Sequence, residues 1–127
     1  MMDIQIKRIY EQRSKNDGTR ILVDGLWPRG LTKDDASIDI WLKKIAPSTL
    51  LRRWFGHDPA RWDEFVVLYH EELQRKPAQL AILKQEIRKG RVTLLFAARD
   101  TAHNQAVALK EYVEAEHNRN KATDKQN

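Results

Sequence analysis

Several residue types and segments are missing from this sequence of 127 residues, and each absence excludes a class of site. There is no cysteine, which excludes disulfides, thiolate metal sites and cysteine nucleophiles. The five glycines are scattered, so no glycine-rich phosphate loop is present. No apolar stretch approaches the length of a transmembrane helix, and the N-terminal segment lacks the apolar centre of a secretory signal. These features predict a cytoplasmic protein that does not associate with a membrane.

The common catalytic motifs are also missing. The serines do not lie in a nucleophile elbow, and the four histidines do not have the spacing of zinc ligands. The sequence therefore predicts neither a metal site nor a cofactor, and it leaves open whether the protein is an enzyme.

The composition that is present fits a single folded domain with a hydrophobic core. There are 23 Lys and Arg residues against 18 Asp and Glu residues, which gives a net charge of +5. The last ten residues hold three basic residues and one acidic residue, so residues 1–117 have a net charge of only +3. This surplus is weak support for a nucleic-acid surface, which usually has a concentrated basic stripe.

Four segments have strand patterns. Residues 4–9 alternate apolar and polar side chains, and residues 20–24 form a short apolar run that ends at Asp24. Residues 38–42 also alternate, although a helix that begins near Asp34 explains this region equally well. Residues 91–98 are almost wholly apolar, which is typical of a central strand that is covered on both faces.

Helix start signals follow one another in the middle of the chain. Ser48 can cap a short helix, and the Asp-Pro pair at 58–59 indicates the beginning of another. Pro77 starts a further helix, and Gly90 follows its predicted end. A last helix is predicted over roughly residues 102–117.

This order of elements predicts an α/β fold: a single small three-layer domain over residues 1–117, with a mostly parallel sheet of about four strands flanked by helices. Residues 118–127 have no periodicity and are predicted to be a disordered tail. Ligands of open α/β sheets bind outside the carboxyl ends of the strands, which directs attention to the segments that follow the strands.

The first such segment is DGLWPRG, residues 24–30. Arg29 can hold a carboxylate or phosphate through its planar fork of donors, with Trp27 as a wall. In the structural alternative, Trp27 covers the sheet and Arg29 pairs with Asp24.

A second cluster of charged and aromatic residues lies in residues 48–62. Helix capping explains Ser48 and Asp58, which leaves Arg52 and His57 as candidate binding residues. His57 is the candidate group for proton transfer, because histidine gains or loses a proton near neutral pH.

The third segment follows the last strand. Arg99 and Asn104 lie at the beginning of the last predicted helix, where free backbone N–H groups attract anions. Asp100 or Thr101 could instead be the cap of this helix.

These segments carry a family resemblance. RILVDGLWPRG, APSTLLRRWFGHDP and VTLLFAARDTAHNQA are similar to the YeaO-like branch of the family called domain of unknown function 488. The similarity covers residues 4–116 and implies a small bacterial α/β protein whose biochemical role is not established. The recurrent polar positions of the family that match this sequence are Asp24, Arg29, Ser48, Arg52, His57 and Asn104.

The sequence departs from the family pattern at two places. Members of this branch generally have arginine directly after the aspartate that ends the strand, whereas this chain has Gly25. Members of the wider family often carry a cysteine near Phe96 or Ala97, and this chain has none, so thiol chemistry cannot be carried over.

The leading functional hypothesis is a pocket at the carboxyl ends of the strands that binds a small anion bearing phosphate or carboxylate. The alternatives are a nucleic-acid-binding module and a protein-interaction domain with exposed tryptophans. The oligomeric state cannot be read from the sequence. The predicted ligand-binding residues are Asp24, Trp27, Arg29, Ser48, Arg52, His57, Arg99 and Asn104.

Overall fold

The computed structural model describes residues 2–126 of the chain, with side chains through residue 121. Four parallel strands form one sheet: β1 (Ile4–Arg8), β2 (Thr19–Leu22), β3 (Ile40–Trp41) and β4 (Val92–Phe96), in the order β1-β4-β2-β3. Because all neighbouring strands are parallel, their carboxyl ends lie at one edge of the sheet. The predicted α/β domain with a parallel sheet of about four strands is confirmed.

Five α-helices accompany the sheet: α1 (Lys33–Ala36), α2 (Thr49–Phe55), α3 (Trp62–Gln74), α4 (Pro77–Lys89) and α5 (Gln105–Gln126). Short 3-10 turns occur at Lys15–Asp17, Lys43–Ile45 and Pro59–Arg61. Among the described residues, none of the helices is both long enough and apolar enough to cross a membrane.

Alternation along the strands produces two cores, one on each face of the sheet. Ile21 and Leu94 face the larger core, which helices α2 to α5 cover. Leu22 and Leu95, the next residues along, face a smaller core that includes Ala36 of α1. Because β4 is buried along its whole length, its nearly continuous apolar sequence is explained by burial on both faces.

The region of residues 33–42 combines the two alternatives that the sequence left open. Thr32 caps the short helix α1 by accepting a hydrogen bond from the backbone N–H of Asp35. The strand that follows is only two residues long, because β3 pairs with β2 only at the end of that strand. The predicted strand over 38–42 was therefore too long.

The start signals at 58–59 and Pro77 are confirmed. Asp58 accepts a hydrogen bond from the backbone N–H of Ala60, and a 3-10 turn then leads into α3. Pro77 is the first residue of α4, and Gly90 follows its end.

The last helix begins later and extends further than predicted. Its first residue is Gln105, and its backbone continues to Gln126, so residues 118–126 are helical here rather than irregular. The described side chains of residues 118–121 are exposed, so this part of α5 has little support from the core. Disorder of residues 118–127 in solution stays a prediction, and Asn127 lies outside the described residues.

Arg20 is almost fully buried, at 2% exposure, within a segment whose sequence pattern indicated an apolar strand. Its guanidinium donates to a carboxylate oxygen of Asp17 at 2.6 Å and to the carbonyl oxygens of Ser37 and Ala36 at 2.8 and 3.0 Å. Lys7 also donates to the Asp17 carboxylate, at 2.9 Å. This buried network joins β1, β2, the first 3-10 turn and the end of α1.

Candidate functional site

A cavity of about 380 Å³ opens at the carboxyl ends of the strands, the edge that the sequence analysis indicated. Its volume lies in the range of small-molecule sites. Six of the eight predicted binding residues line it, namely Asp24, Trp27, Arg29, Arg52, His57 and Asn104. The side chains of Phe55 and Phe65 and the small residues Ala97 and Ala98 give it apolar walls.

Asp24 lies two residues beyond the end of β2 and is held between three neighbouring segments. One carboxylate oxygen accepts a hydrogen bond from the backbone N–H of Ala97 at 2.9 Å, and the other accepts one from the side-chain amide of Gln105. The backbone carbonyl of Asp24 accepts a hydrogen bond from the indole N–H of Trp41 at 2.7 Å. The carboxylate is thereby fixed at the cavity wall.

Burial raises the pKa of Asp24 from its ordinary value of 3.8 to about 6, because the low-polarity surroundings disfavour the charged form. The hydrogen bond from Ala97 and the positive charge of Arg52 act against this rise. A shifted carboxyl group in a cleft is a common feature of functional sites.

The loop 25–31 forms a fixed wall. The indole N–H of Trp27 donates to the carbonyl of Leu31 at 2.7 Å, and the hydroxyl of Tyr10 donates to the carbonyl of Arg29 at 2.9 Å. The rings of Trp27 and Trp41 meet edge to face, with their centroids 5.5 Å apart. Trp27 therefore packs against the smaller core, as the structural alternative predicted, and also lines the cavity.

Four arginines surround this edge of the sheet. Arg52 lines the inner cavity, while Arg8 and Arg99 line a more open cavity of about 890 Å³ beside it. Arg29 and His57 line both cavities, so the two adjoin.

Most of these guanidinium groups have no acidic partner. Within the described part of the chain, Arg29, Arg52 and Arg99 form no ion pair, and Arg29 does not pair with Asp24. The guanidinium of Arg8 donates to the carbonyl of Ala98 at 3.0 Å and lies over the ring of Tyr10.

His57 occupies an unusual backbone position. Its φ angle is 58°, in the left-handed region, directly after Gly56 at 55°. Left-handed backbone at a non-glycine residue is uncommon and is concentrated at functional sites. The ring is exposed and lies 6.3 Å from the ring of Phe55, measured between centroids.

Ser48 does not line either cavity. Its hydroxyl caps α2 by accepting from the backbone N–H of Leu51, and it donates to a carboxylate oxygen of Glu72 at 2.6 Å. The structure therefore gives Ser48 a role in capping α2 and joining it to α3, and a ligand contact at this residue stays a prediction.

Asn104 is buried at the cavity wall, but its polar atoms are occupied. The side-chain oxygen accepts from the backbone N–H groups of Ala106 and Val107, and the amide donates to the carbonyl of Asp100. Asn104 is thus the cap of α5, a position that the sequence analysis had offered to Asp100 or Thr101. A direct contact of Asn104 with a ligand stays a prediction.

Sequence reasoning missed three contributors to this edge: Arg8, Tyr10 and Gln105. Arg8 is the last residue of β1 and Tyr10 lies two residues beyond it, so the rule that ligands bind at the carboxyl ends of strands could have found them. Gln105 has no such local signal, since its proximity to Asp24 depends on how α5 packs against the sheet. Among the described residues, no group of three or more His, Asp or Glu side chains is arranged to hold a metal ion.

Gly25 lies beside this site at a position that could hold a side-chain Cβ atom. A Cβ atom at this position would lie 3.6 Å from Nη1 of Arg52 and 3.6 Å from Cβ of Ala46, which are ordinary contact distances. The missing family arginine is therefore not explained by a steric requirement for glycine.

Comparisons with known proteins agree with the resemblance seen in the sequence. A model of the family described as the inactive DUF488-N3 subclade matches residues 3–127. The chain is 42% identical over 106 residues to an uncharacterised protein of Mycobacterium tuberculosis (strain H37Rv), which covers 84% of this chain and 89% of the relative. It is 39% identical over 112 residues to the uncharacterised protein YeaO of Escherichia coli K12, covering 88% of this chain and 97% of YeaO. No solved structure matches significantly. The chain belongs to the DUF488-N3i family, the YeaO-like members of domain of unknown function 488.

Proposed function

We propose that this protein binds a small anion, bearing phosphate or carboxylate, in the two adjoining cavities at the carboxyl ends of the strands. The observation that carries the proposal is the placement of Arg29, Arg52 and Arg99. They come from three separate segments and line one edge of the sheet without acidic partners among the described residues.

The charges around this edge favour a negatively charged ligand. Arginine is suited to carboxylate and phosphate because its donors match both oxygens of such a group. Asp100 also lines the outer cavity, where its carboxylate bonds to the ring of His103 at 2.9 Å, and burial makes Asp24 harder to ionise. Grouping several cations without acidic partners costs repulsion, which a bound anion would relieve.

Binding without a reaction is supported by the description of the family as an inactive subclade. The candidate proton-transfer group, His57, has no carboxylate partner among the described residues that would orient its ring. We therefore propose a binding protein rather than an enzyme.

Titration calorimetry with inorganic phosphate at constant ionic strength tests the proposal. We expect Arg29→Gln and Arg99→Gln each to weaken phosphate binding about 10-fold, because each removes a charge-assisted hydrogen bond, and Arg52→Gln to weaken it less, because Arg52 lines only the inner cavity. Arg75→Gln is the matched control, since Arg75 is an exposed arginine just after α3, outside both cavities. Equal phosphate affinity in all four variants, or no binding by the wild type, would contradict the proposal.

The nucleic-acid alternative is separated from this proposal by its salt dependence. Under small-anion binding, we expect no detectable binding of a fluorescent single-stranded oligonucleotide at low salt. Binding that weakens steeply as salt is added would favour a nucleic-acid surface, because phosphate contacts release counterions.

The protein-interaction alternative keeps one observation in its favour. None of the four tryptophans is fully buried: Trp41 is 37% exposed, and the others are half-buried. Leu26, at 65% exposure, also lies at the cavity. Packing and hydrogen bonds explain both rings: Trp27 is part of the cavity wall, and Trp41 packs against Trp27 and donates to the backbone carbonyl of Asp24.

A further inference from the structure

Resting on the proposed function, we propose that the bound anion carries hydroxyl groups at its other end, and that Asp24 and Arg52 recognise one of them. The ligand class is a phosphorylated polyol or a hydroxy acid. The anionic group would lie at the outer cavity and the hydroxylated end at the inner cavity.

The carboxylate of Asp24 lines a cavity whose other charged groups suit an anion. The two oxygens of Asp24 each accept one hydrogen bond, from Ala97 and Gln105. An ionised carboxylate has about four acceptor positions, so about two remain for another donor. A half-buried carboxylate gains from such a donor, and a ligand without one would leave it incompletely bonded.

A cation, the guanidinium of Arg52, lies near this carboxylate. The guanidinium of Arg52 reaches the space beside Gly25, yet it forms no ion pair with Asp24. The carboxylate of Asp24 can accept hydrogen bonds, whereas the guanidinium of Arg52 can donate them but cannot accept them. A hydroxyl group satisfies both, because it donates to the carboxylate and accepts from the guanidinium. An ammonium group would be repelled by Arg52, and a second anionic group would be repelled by Asp24.

The residues that would bind the hydroxylated end and the anionic end of the ligand line different cavities. Asp24 and Arg52 line only the inner cavity, whereas Arg99 lines only the outer one. Arg29 and His57 line both and can contact an anionic group near the junction. The wall of the inner cavity also contains the apolar rings of Phe55 and Phe65, which suit the carbon chain of the ligand.

A matched pair of ligands tests this inference. Glycerol 3-phosphate and n-propyl phosphate have the same chain length and the same charged group, and they differ only in two hydroxyls. We expect calorimetry at pH 8 to give about 10-fold tighter binding of glycerol 3-phosphate to the wild type, the effect of a charge-assisted hydrogen bond.

The variant Asp24→Asn separates recognition from a structural effect. We expect it to weaken glycerol 3-phosphate binding and to leave propyl phosphate binding unchanged or tighter, because a repulsive charge is removed. A purely structural role of Asp24 would weaken both ligands together. Asp63→Asn, at an exposed aspartate of α3, is the control for loss of one negative charge.

Inorganic phosphate is titrated in parallel so that two failures can be distinguished. If the protein binds phosphate and both esters equally, the inference is overturned and the proposed function stands. If the preference for glycerol 3-phosphate survives in Asp24→Asn, the hydroxyls are recognised elsewhere and the inference is also overturned. If none of the three anions binds, both proposals fail.

Discussion

Replacing Arg20 with methionine is expected to lower the free energy of unfolding by about 3–5 kcal/mol. Methionine replaces the aliphatic stem of the side chain but removes the guanidinium, which bonds to Asp17, Ser37 and Ala36. The buried Asp17 carboxylate would then keep Lys7 as its remaining cationic partner. Because a domain of this kind is stable by only about 5–15 kcal/mol, the loss would be a large share of the total.

Urea denaturation at neutral pH measures this effect. Arg53→Met is the matched control: Arg53 is exposed, and we expect a change of no more than about 0.5 kcal/mol. Arg20→Lys keeps the charge but loses the three-way hydrogen bonding, so its stability should fall between those of the wild type and Arg20→Met. A loss of less than about 1 kcal/mol in Arg20→Met would show that the network contributes little.

Replacing Asp24 with asparagine is expected to stabilise the protein at neutral pH. Burial raises the pKa of Asp24 from 3.8 to about 6, so the folded protein binds this proton more tightly than the unfolded chain does. Stability from this group is therefore highest below pH 4 and decreases as the pH rises to 6. One pKa unit equals about 1.4 kcal/mol, so the cost at pH 7 is at most about 3 kcal/mol.

Unfolding free energies of the wild type and Asp24→Asn, measured from pH 4 to pH 7, test this sign. We expect the advantage of the variant to be near zero at pH 4 and to reach about 1–3 kcal/mol above pH 6. The lowered pKa values of Asp3, Asp17 and Asp100 act in the opposite direction, but both proteins share them. An advantage that does not vary with pH would contradict a raised pKa of Asp24. A carboxylate that costs stability while it lines a cavity fits retention for binding.

Much of the fold could be predicted from the sequence because its signals are local. The apolar run of β4 acts within a few residues. The same holds for Pro59, which begins the 3-10 turn before α3, and for Pro77, which begins α4. The 38–42 segment was harder, because the length of β3 depends on its pairing with β2. Asn104 was missed as the cap of α5, since Asp100, Thr101 and Asn104 all have capping side chains and only the turn geometry selects among them.

The candidate site was predictable to a similar extent. Strand ends and loop composition were enough to select Asp24, Arg29, Arg52 and His57, and the structure places them around one cavity. The sequence could not show that the hydroxyl of Ser48 bonds to the carboxylate of Glu72, because Glu72 lies 24 residues further along the chain. The roles of Asp24, Arg29, Arg52 and His57 in ligand binding stay predictions.

The sequence by itself determined the class of this protein: an α/β domain without thiol chemistry, with helices and strands whose periodicity and caps are local properties. Tertiary structure alone decided the strand order β1-β4-β2-β3 and the use of each arginine. Arg20 forms a buried ion pair with Asp17, whereas Arg29, Arg52 and Arg99 form no ion pair among the described residues. The physical reason is that the environment of a charged side chain depends on which distant segments pack around it, and one sequence position contains no record of its spatial neighbours.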